Sequence, residues 1–203
     1  MNVSPSTIKR LPKYLYYLKQ LPAEQTHISA TAIAQALDFG DVQVRKDLAN
    51  ITKGGKPKTG YEKEALIEAL EIFLGYKNVH NAVIIGAGKL GMALFEYAGF
   101  SAYGLNIVAA FDKEISRVGV NEKGKYIYPL SDFPEFCRQV NVKIGIITVP
   151  ADAAQETCDL LCANGIRAIW SFAPVHLNAE KNTLIQYENM AATLAILSGH
   201  IAN

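Results

Sequence analysis

The apolar run Ala82-Val83-Ile84-Ile85 leads into Gly86-Ala87-Gly88-Lys89-Leu90-Gly91, and this junction constrains the fold more tightly than any other stretch of the 203 residues. Glycine makes the tight turn at Gly86, lets backbone approach a pyrophosphate at Gly88, and lets a helix pack closely on the strand at Gly91. A helix starting near Lys89 then points its unpaired N–H groups at phosphate oxygens. The amphipathic Leu90-Gly91-Met92-Ala93-Leu94-Phe95 and the apolar Ile107-Val108-Ala109-Ala110-Phe111-Asp112 complete a strand-loop-helix-strand pattern, the context in which such a loop holds a dinucleotide. Asp112 ends the second strand. A carboxylate there accepts from both hydroxyls of an adenosine ribose and repels a 2′-phosphate, which favours NAD(H), while neighbouring Lys113 weakens that exclusion.

The segment in front of this pattern has a different character. The net charge of +1 hides an asymmetry: residues 1–61 carry nine Lys/Arg against four Asp/Glu, hence +5, and the remainder carries −4. The basic front is the part suited to phosphates. Tyr14, Leu15, Leu18 and Leu21 recur at helical spacing over 12–21, with Pro12 in the first turn. Ser29 caps a short helix over 30–37 with Ile33, Ala34 and Leu37 as its stripe, Asp38-Phe39-Gly40 forms a turn, and Asp41 caps a helix over 42–50. This is a helix-turn-helix rhythm. In its second helix Val42, Val44 and Leu48 are expected to face inward, and Gln43, Arg45, Lys46 and Asn50 outward; such outward side chains read base edges and grip phosphates in a major groove. Residues 53–60, with Lys53, Lys56 and Lys58 among Gly and Pro, have the composition of an exposed hairpin or wing. A further helix is expected over 61–74 with Gly75 as its C-cap, and residues 76–78 form the joint to the second domain.

Beyond that joint strand and helix patterns alternate, as a parallel sheet with crossover helices requires. Strands are expected at 82–85, 107–111, 126–128, 144–149, 168–172 and 184–187, and helices at 89–98, 132–140 and 151–163. The loops at Val149-Pro150 and Phe172-Ala173-Pro174 follow strand ends, where an open α/β sheet binds its ligand. A last helix over 189–201 carries Met190, Leu194, Leu197 and Ile201 as a stripe that needs a surface to bury against; a partner subunit supplies one, and a dimer presents two reading helices to a two-fold operator.

Several classes drop out. No apolar run approaches the roughly 20 residues of a membrane span and the first residues lack a signal-peptide pattern, so a cytoplasmic protein is expected. Cys137, Cys158 and Cys162 form no disulfide framework, and Cys158 and Cys162, four apart, are expected as buried small residues rather than an oxidation-sensitive pair. The His and Cys positions show no metal-ligand spacing.

The chain resembles the Rex family of redox-sensing transcriptional repressors along nearly its whole length. The matching pieces are Arg10-Leu11-Pro12 with Tyr14-Leu15, Gln43-Val44-Arg45-Lys46-Asp47-Leu48, Gly60-Tyr61, Gly86-Ala87-Gly88 with Leu90-Gly91, Gly99-Phe100, Ala110-Phe111-Asp112, Val149-Pro150-Ala151 with Ala153-Ala154-Gln155, and Phe172-Ala173-Pro174-Val175. The resemblance implies an α/β fold in which an N-terminal winged helix-turn-helix domain (1–77) precedes a Rossmann-like parallel-sheet domain (78–187), with a C-terminal helix (188–203) exchanged in a homodimer. It implies repression through double-stranded operator DNA, released when NADH binds. On that basis Arg10, Gln43, Arg45, Lys46, Lys53, Lys56 and Lys58 are the DNA-contacting candidates. The NAD(H) candidates are Gly86, Ala87, Gly88, Lys89, Leu90, Gly91, Asp112, Lys113, Val149, Pro150, Phe172, Ala173 and Pro174, with Tyr97 and Met190 at the nicotinamide.

The departures from the family pattern are specific. Pro57 stands where the family wing has an arginine, so Lys58 supplies the charge without arginine's planar fork. Tyr16, Asn189 and Met190 stand where well-studied relatives have Arg, Asp and Phe, so an Arg–Asp pair cannot operate there and a methionine replaces an aromatic cover. Two other functions share the sheet architecture. An NAD-dependent oxidoreductase needs a proton donor beside the nicotinamide, and His176 and His200 lie in no recognisable catalytic motif. A regulator or binding module that answers to another nucleotide, such as a CoA-type ligand, or one that discriminates NADH from NAD+ poorly, is the other alternative, and Asp112 discriminates: a carboxylate there serves a ribose diol, so loss of NADH affinity in Asp112→Ala supports the dinucleotide reading and indifference supports the other nucleotide.

Overall fold

A computed structural model describes residues 3–52, 54–56, 59–179 and 181–201. The chain divides into two units, Met1–Asn78 and Val79–Asn203.

The first unit runs α1 (Pro5–Gln20), β1 (His27–Ile28), α2 (Ala30–Leu37), α3 (Asp41–Ala49), β2 (Tyr61–Glu62) and α4 (Lys63–Phe73). Helix α1 begins seven residues earlier than the periodicity from Pro12 suggests. Ser4 Oγ accepts from the Thr7 N–H at 3.1 Å and Pro5 occupies the first turn, a start signal that places Pro12 inside the helix. An interior proline costs roughly 3 kcal/mol, and the burial of Leu11, Tyr14, Leu15 and Leu18 offsets it. Ser29 caps α2 as expected, accepting from Ala32 N–H at 3.0 Å, and Asp38 ends that helix in the left-handed conformation.

Two expectations for α3 are corrected. Gly40, not Asp41, is its N-cap; Asp41 is the first helical residue, and its carboxylate instead accepts from Thr31 Oγ1 at 2.9 Å and pairs with Arg45. Val42 is 65% exposed, because the buried positions are Val44, Asp47 and Leu48, and a residue two before Val44 lies about 200° around the helix from it. After α3 the chain forms a hairpin in which Lys56 and Gly60 exchange backbone hydrogen bonds of 2.8 and 2.9 Å. Lys53, Pro57 and Lys58 lie outside the described residues. Strands β1 and β2, too short to read in the sequence, pair antiparallel at the base of that hairpin. The pairing takes Tyr61 and Glu62 out of the expected helix, so α4 starts at Lys63 with Glu62 as its cap.

Asp47 fastens α3 to α1. Its carboxylate, buried among the apolar side chains of this unit, accepts from Thr7 Oγ1 (2.8 Å), Tyr14 Oη (2.8 Å) and the Arg10 guanidinium in a two-point fork (2.7 and 2.9 Å). Burial alone would raise the Asp47 pKa, but donation from Arg10, Tyr14 and Thr7 reverses this and holds it below the usual carboxylate range. Burial, with donation to Asp47, pushes the Tyr14 phenol up to about 12.

The second unit is a seven-stranded sheet in the order β5-β6-β4-β3-β7-β8-β9, built from β3 (His80–Ile85), β4 (Leu105–Asp112), β5 (Gly119–Val120), β6 (Tyr126–Pro129), β7 (Val142–Ile147), β8 (Ala168–Ser171) and β9 (Leu184–Tyr187). All neighbours are parallel except β5 with β6. Helix α5 (Lys89–Glu96) covers one face, with Phe95 and Met92 on Ala82, Ile84, Ala110 and Ile146. Helices α6 (Phe133–Gln139) and α7 (Ala151–Ala163) pack on the other, where Val83, Ile85, Phe111 and Ile147 meet Phe133, Ala154 and Leu161. Cys158 is fully buried there, and burial pushes its thiol up to about 12. Helix α8 (Met190–Ile201) follows β9.

Asp47→Ala is expected to lower the stability of the first unit by about 3 kcal/mol, since it leaves Arg10 buried without its partner; urea unfolding monitored by circular dichroism measures this. The pH dependence has a definite sign. The Asp47 contribution is present above the usual carboxylate pKa and is lost as pH falls through the depressed folded value, while the Tyr14 contribution is lost as pH rises from its ordinary value through about 12. Asp47→Asn should remove the acid-side loss.

Candidate functional site

The sheet order reverses at β3, whose chain neighbours in space are β4 on one side and β7 on the other. A crevice therefore opens between the carboxyl ends of β3 and β7, the position at which open α/β sheets bind ligands. The glycine loop follows β3, and Thr148-Val149-Pro150 follow β7.

Each glycine of the loop has its own reason. Gly86 has φ +104°, and a Cβ on it would fall 3.0 Å from the Thr148 carbonyl carbon and from Val149. A Cβ on Gly91 would collide with the Gly86 carbonyl oxygen, so the helix can approach the loop only without one. Around Gly88 a Cβ would meet nothing within 4 Å. The protein itself gives no packing reason for that glycine, and the space beside it suits a phosphate group coming from outside. Gly88 is also the N-cap of α5 and has no side chain to cap it, so the first N–H groups of the helix are left for an anion.

Thr148, which the sequence reading did not single out, ties this loop down. Its hydroxyl lies 2.6 Å from the Gly86 carbonyl and 3.1 Å from that of Ile85, and its N–H donates to the Ile85 carbonyl at 3.0 Å. The available sequence signal is a hydroxyl residue ending an apolar strand just before Val-Pro.

Asp112, 4% exposed, ends β4 beside the loop. Oδ2 accepts from the Ala87 N–H (2.7 Å) and from Arg117 Nη1 (3.0 Å), and Oδ1 accepts from the Glu114 N–H (2.9 Å). Burial would raise its pKa, but the Glu114 N–H, Arg117 and the Ala87 N–H together lower it, so Asp112 is ionised and acceptor-only at neutral pH. Ala87 thus gives its N–H to Asp112 rather than to a ligand. Lys89 and Lys113 are exposed at the rim, and Leu90 is half-buried.

Phe172 N–H donates to the Ile147 carbonyl at 2.9 Å, which sets Phe172-Ala173-Pro174 beside Val149-Pro150 at adjacent strand ends. Ala173 is buried in the core cluster of the sheet. Ala173, Pro174, Val175, His176, Tyr187, Glu188 and Asn189 line a shallow pocket of about 270 Å³. Met190, at the start of α8, is 61% exposed, and Asn189 caps that helix by accepting from the Ala192 N–H at 2.9 Å. Tyr97 reaches this wall through other rings. It caps the end of α5, with its ring edge-on to Phe100, which meets Trp170, which meets Phe172.

On the first unit, Gln43, Arg45, Lys46 and Asn50 share the solvent face of α3 with Val42, and Lys56 is exposed on the hairpin. Arg45 pairs with Asp41 at 2.9 Å in solvent. Arg10 is corrected: its side chain is 16% exposed and its guanidinium is committed to Asp47, so it holds α3 in place instead of facing a phosphate. Among the described residues no group of three or more His, Cys, Asp or Glu is arranged to hold a metal, and no helix is long and apolar enough to cross a membrane.

Thr148→Val keeps shape and removes the hydroxyl, and is expected to destabilise the second unit by about 1 kcal/mol and to raise amide exchange at Gly86 and Ala87; native-state hydrogen exchange reads both.

Comparisons with known proteins agree with both halves of this description. Residues 77–175 match the family model for a CoA binding domain, and residues 2–49 match that for a putative DNA-binding protein N-terminus. The chain is 37% identical over 197 residues to the redox-sensing transcriptional repressor Rex of Bacteroides thetaiotaomicron, covering 97% of this chain and 90% of that one. It is 36% identical to Rex of Treponema denticola over 192 residues, covering 94% and 91%. Among solved structures, RSP in complex with β-NAD+ and operator DNA superimposes with a TM-score of 0.93 at 31% identity, covering 99% of this chain and 93% of that one. RSP in complex with β-NADH gives 0.88 at 30% identity, covering 99% and 95%. With relatives this similar over nearly its entire length, the chain belongs to the Rex family of redox-sensing transcriptional repressors.

Proposed function

We propose that this chain is a homodimeric repressor that holds operator DNA through α3 and the hairpin after it, and lets go when the crevice at β3 binds NADH. The observation that carries the proposal is the crevice itself: a loop packed tight at Gly86 and Gly91, open at Gly88, and flanked by an ionised carboxylate at the end of the next strand. The α5 N-terminus and the Gly88 backbone would hold the pyrophosphate, and Asp112 the adenosine ribose. Phe172-Ala173-Pro174 and Met190 would flank the nicotinamide, which supplies the redox difference that the protein reads.

The DNA-facing part follows from exposure. A solvent-exposed pair such as Arg45–Asp41 is worth less than about 1 kcal/mol, so Arg45 can exchange it for a phosphate or a guanine edge at little cost. Val42 adds an apolar surface suited to a thymine methyl. For the dimer, the support is α8. Met190, Leu194, Leu197 and Ile201 are 58–87% exposed, and Ile196, on a different side of the same helix, is 68% exposed. A helix apolar around most of its circumference is stable when enclosed, and twelve residues make a marginal helix in water. Burial against a second copy of the chain, by exchange of α8, meets that need. A repressor of operator DNA would act in the cytoplasm.

The test is binding of the purified protein to a palindromic operator at fixed salt, titrated separately with NADH and NAD+. Release by NADH at much lower concentration than NAD+ is the expected result despite Tyr16, Asn189 and Met190; tight binding indifferent to both overturns the redox reading. Arg45→Ala and Lys46→Ala should each weaken operator binding and, where the residue contacts a phosphate, lessen the slope of log affinity against log salt by about 1. Asp112→Ala should weaken NADH binding by about tenfold or more, measured by nicotinamide fluorescence. Coenzyme A is the informative competitor, because its adenosine ribose carries a 3′-phosphate and so lacks the diol that Asp112 would serve.

A further inference from the structure

Asp112 has a fixed number of places for donors, and one of them is held by a side chain that a ligand must displace. A carboxylate offers about four lone-pair positions, two on each oxygen. The Ala87 N–H takes one on Oδ2 and the Glu114 N–H takes one on Oδ1; both are backbone donors that stay with the fold. A ribose diol that binds through both hydroxyls needs the remaining place on each oxygen. Among the described residues no second donor meets Oδ1, whereas the second place on Oδ2 is taken by Arg117 Nη1 at 3.0 Å.

Arg117 is the donor able to leave. It sits in a 3₁₀ turn, Ile115–Arg117, and its side chain is 45% exposed. Its other terminal nitrogen pairs with the exposed Glu114 at 2.8 Å, which would hold the guanidinium near the carboxylate after it lets go of Oδ2. A guanidinium held there would stay beside the carboxylate that the ribose hydroxyls would approach. It suits a phosphate, which it binds through its planar fork, and it offsets the charge by which Asp112 would repel one. Exposed Lys113, the residue after Asp112, adds positive charge.

We infer that Arg117 is a specificity-determining residue of the ribose site: it competes with the 2′-hydroxyl of NAD(H) for Asp112 and makes the site tolerant of the 2′-phosphate of NADP(H). The inference rests on the dinucleotide reading of the crevice given above.

The experiment measures dissociation constants of NADH and NADPH, by calorimetry and nicotinamide fluorescence, for the full-length protein and for Arg117→Met and Arg117→Lys. Arg117→Met keeps the aliphatic stem and removes every donor. It is expected to bind NADH about threefold more tightly, as release of one exposed pair with Asp112 implies, and NADPH about tenfold more weakly, as loss of a charge-assisted hydrogen bond to the phosphate implies. Arg117→Lys should retain part of the NADPH affinity, because it keeps the charge without the fork. Weaker NADH binding in Arg117→Met, or an unchanged NADPH-to-NADH ratio, overturns the inference while leaving the crevice as an NADH site. If the wild-type protein binds neither NADH nor NAD+, the crevice reading fails and the inference fails with it. Thermal melting of the three proteins checks that an exposed substitution has left the fold intact.

Discussion

The buried carboxylate of Asp47 governs the geometry of the N-terminal unit. Helix α3 has nine residues, too few to be stable alone, and it touches the core through Val44 and Leu48. Three side chains of α1, spaced along one face of that helix at Thr7, Arg10 and Tyr14, converge on Asp47 and fill its acceptor positions. A buried charge tolerates little displacement, since any movement that breaks the fork leaves two ions short of partners in a low-dielectric surrounding. The cluster therefore sets the rotation of α3 about its axis. That rotation decides that Gln43, Arg45 and Lys46, with Val42, face solvent.

Asp112 stands in instructive contrast. It too is a buried, ionised aspartate at a junction of elements, but two of its three donors are backbone N–H groups, and the third is a half-exposed arginine. Asp47 is saturated and closed; Asp112 is held in place and keeps room for another donor. The two aspartates differ in how many of their lone pairs the fold itself occupies: four donors meet Asp47 and three meet Asp112. The loop it braces is fixed from below by the Thr148 hydroxyl and from behind by the close approach of Gly91, so a ligand meets a preformed surface.

Much of this was readable from the chain. The alternation of apolar strands with helices implied the parallel sheet, and the glycine spacing implied the loop, because both follow from local geometry. Helix α7 matched its expected limits, 151–163, and β9 matched 184–187. The misses share a cause. Pro12 looked like a helix start since local rules penalise an interior proline, yet tertiary burial of Leu11, Tyr14 and Leu15 overrides that penalty. Arg10 looked like one more cation of a basic segment, because the carboxylate that claims it lies 37 residues away. Val42 looked like a core residue until the helix phase, set by Asp47, turned it outward. The two-residue strands β1 and β2 have no periodicity to detect; the pairing of His27 with Glu62 and Ile28 with Tyr61, far apart in the chain, makes them. Thr148 and Arg117 act through partners distant in sequence or around a turn.

What the sequence by itself determined is the longer elements and the kind of ligand chemistry: hydrophobic period, caps, glycine spacing and charge asymmetry act over a few residues, and a chain carries them wherever it goes. What only the tertiary structure decided is which polar groups have partners. Arg10 and Asp47 are consumed by each other, Arg45 is held loosely in solvent, and Asp112 takes two backbone donors and the half-exposed Arg117. The reason is physical: hydrogen-bond capacity is finite, and its allocation depends on which groups folding brings within 3 Å, a distance that no spacing along the chain encodes.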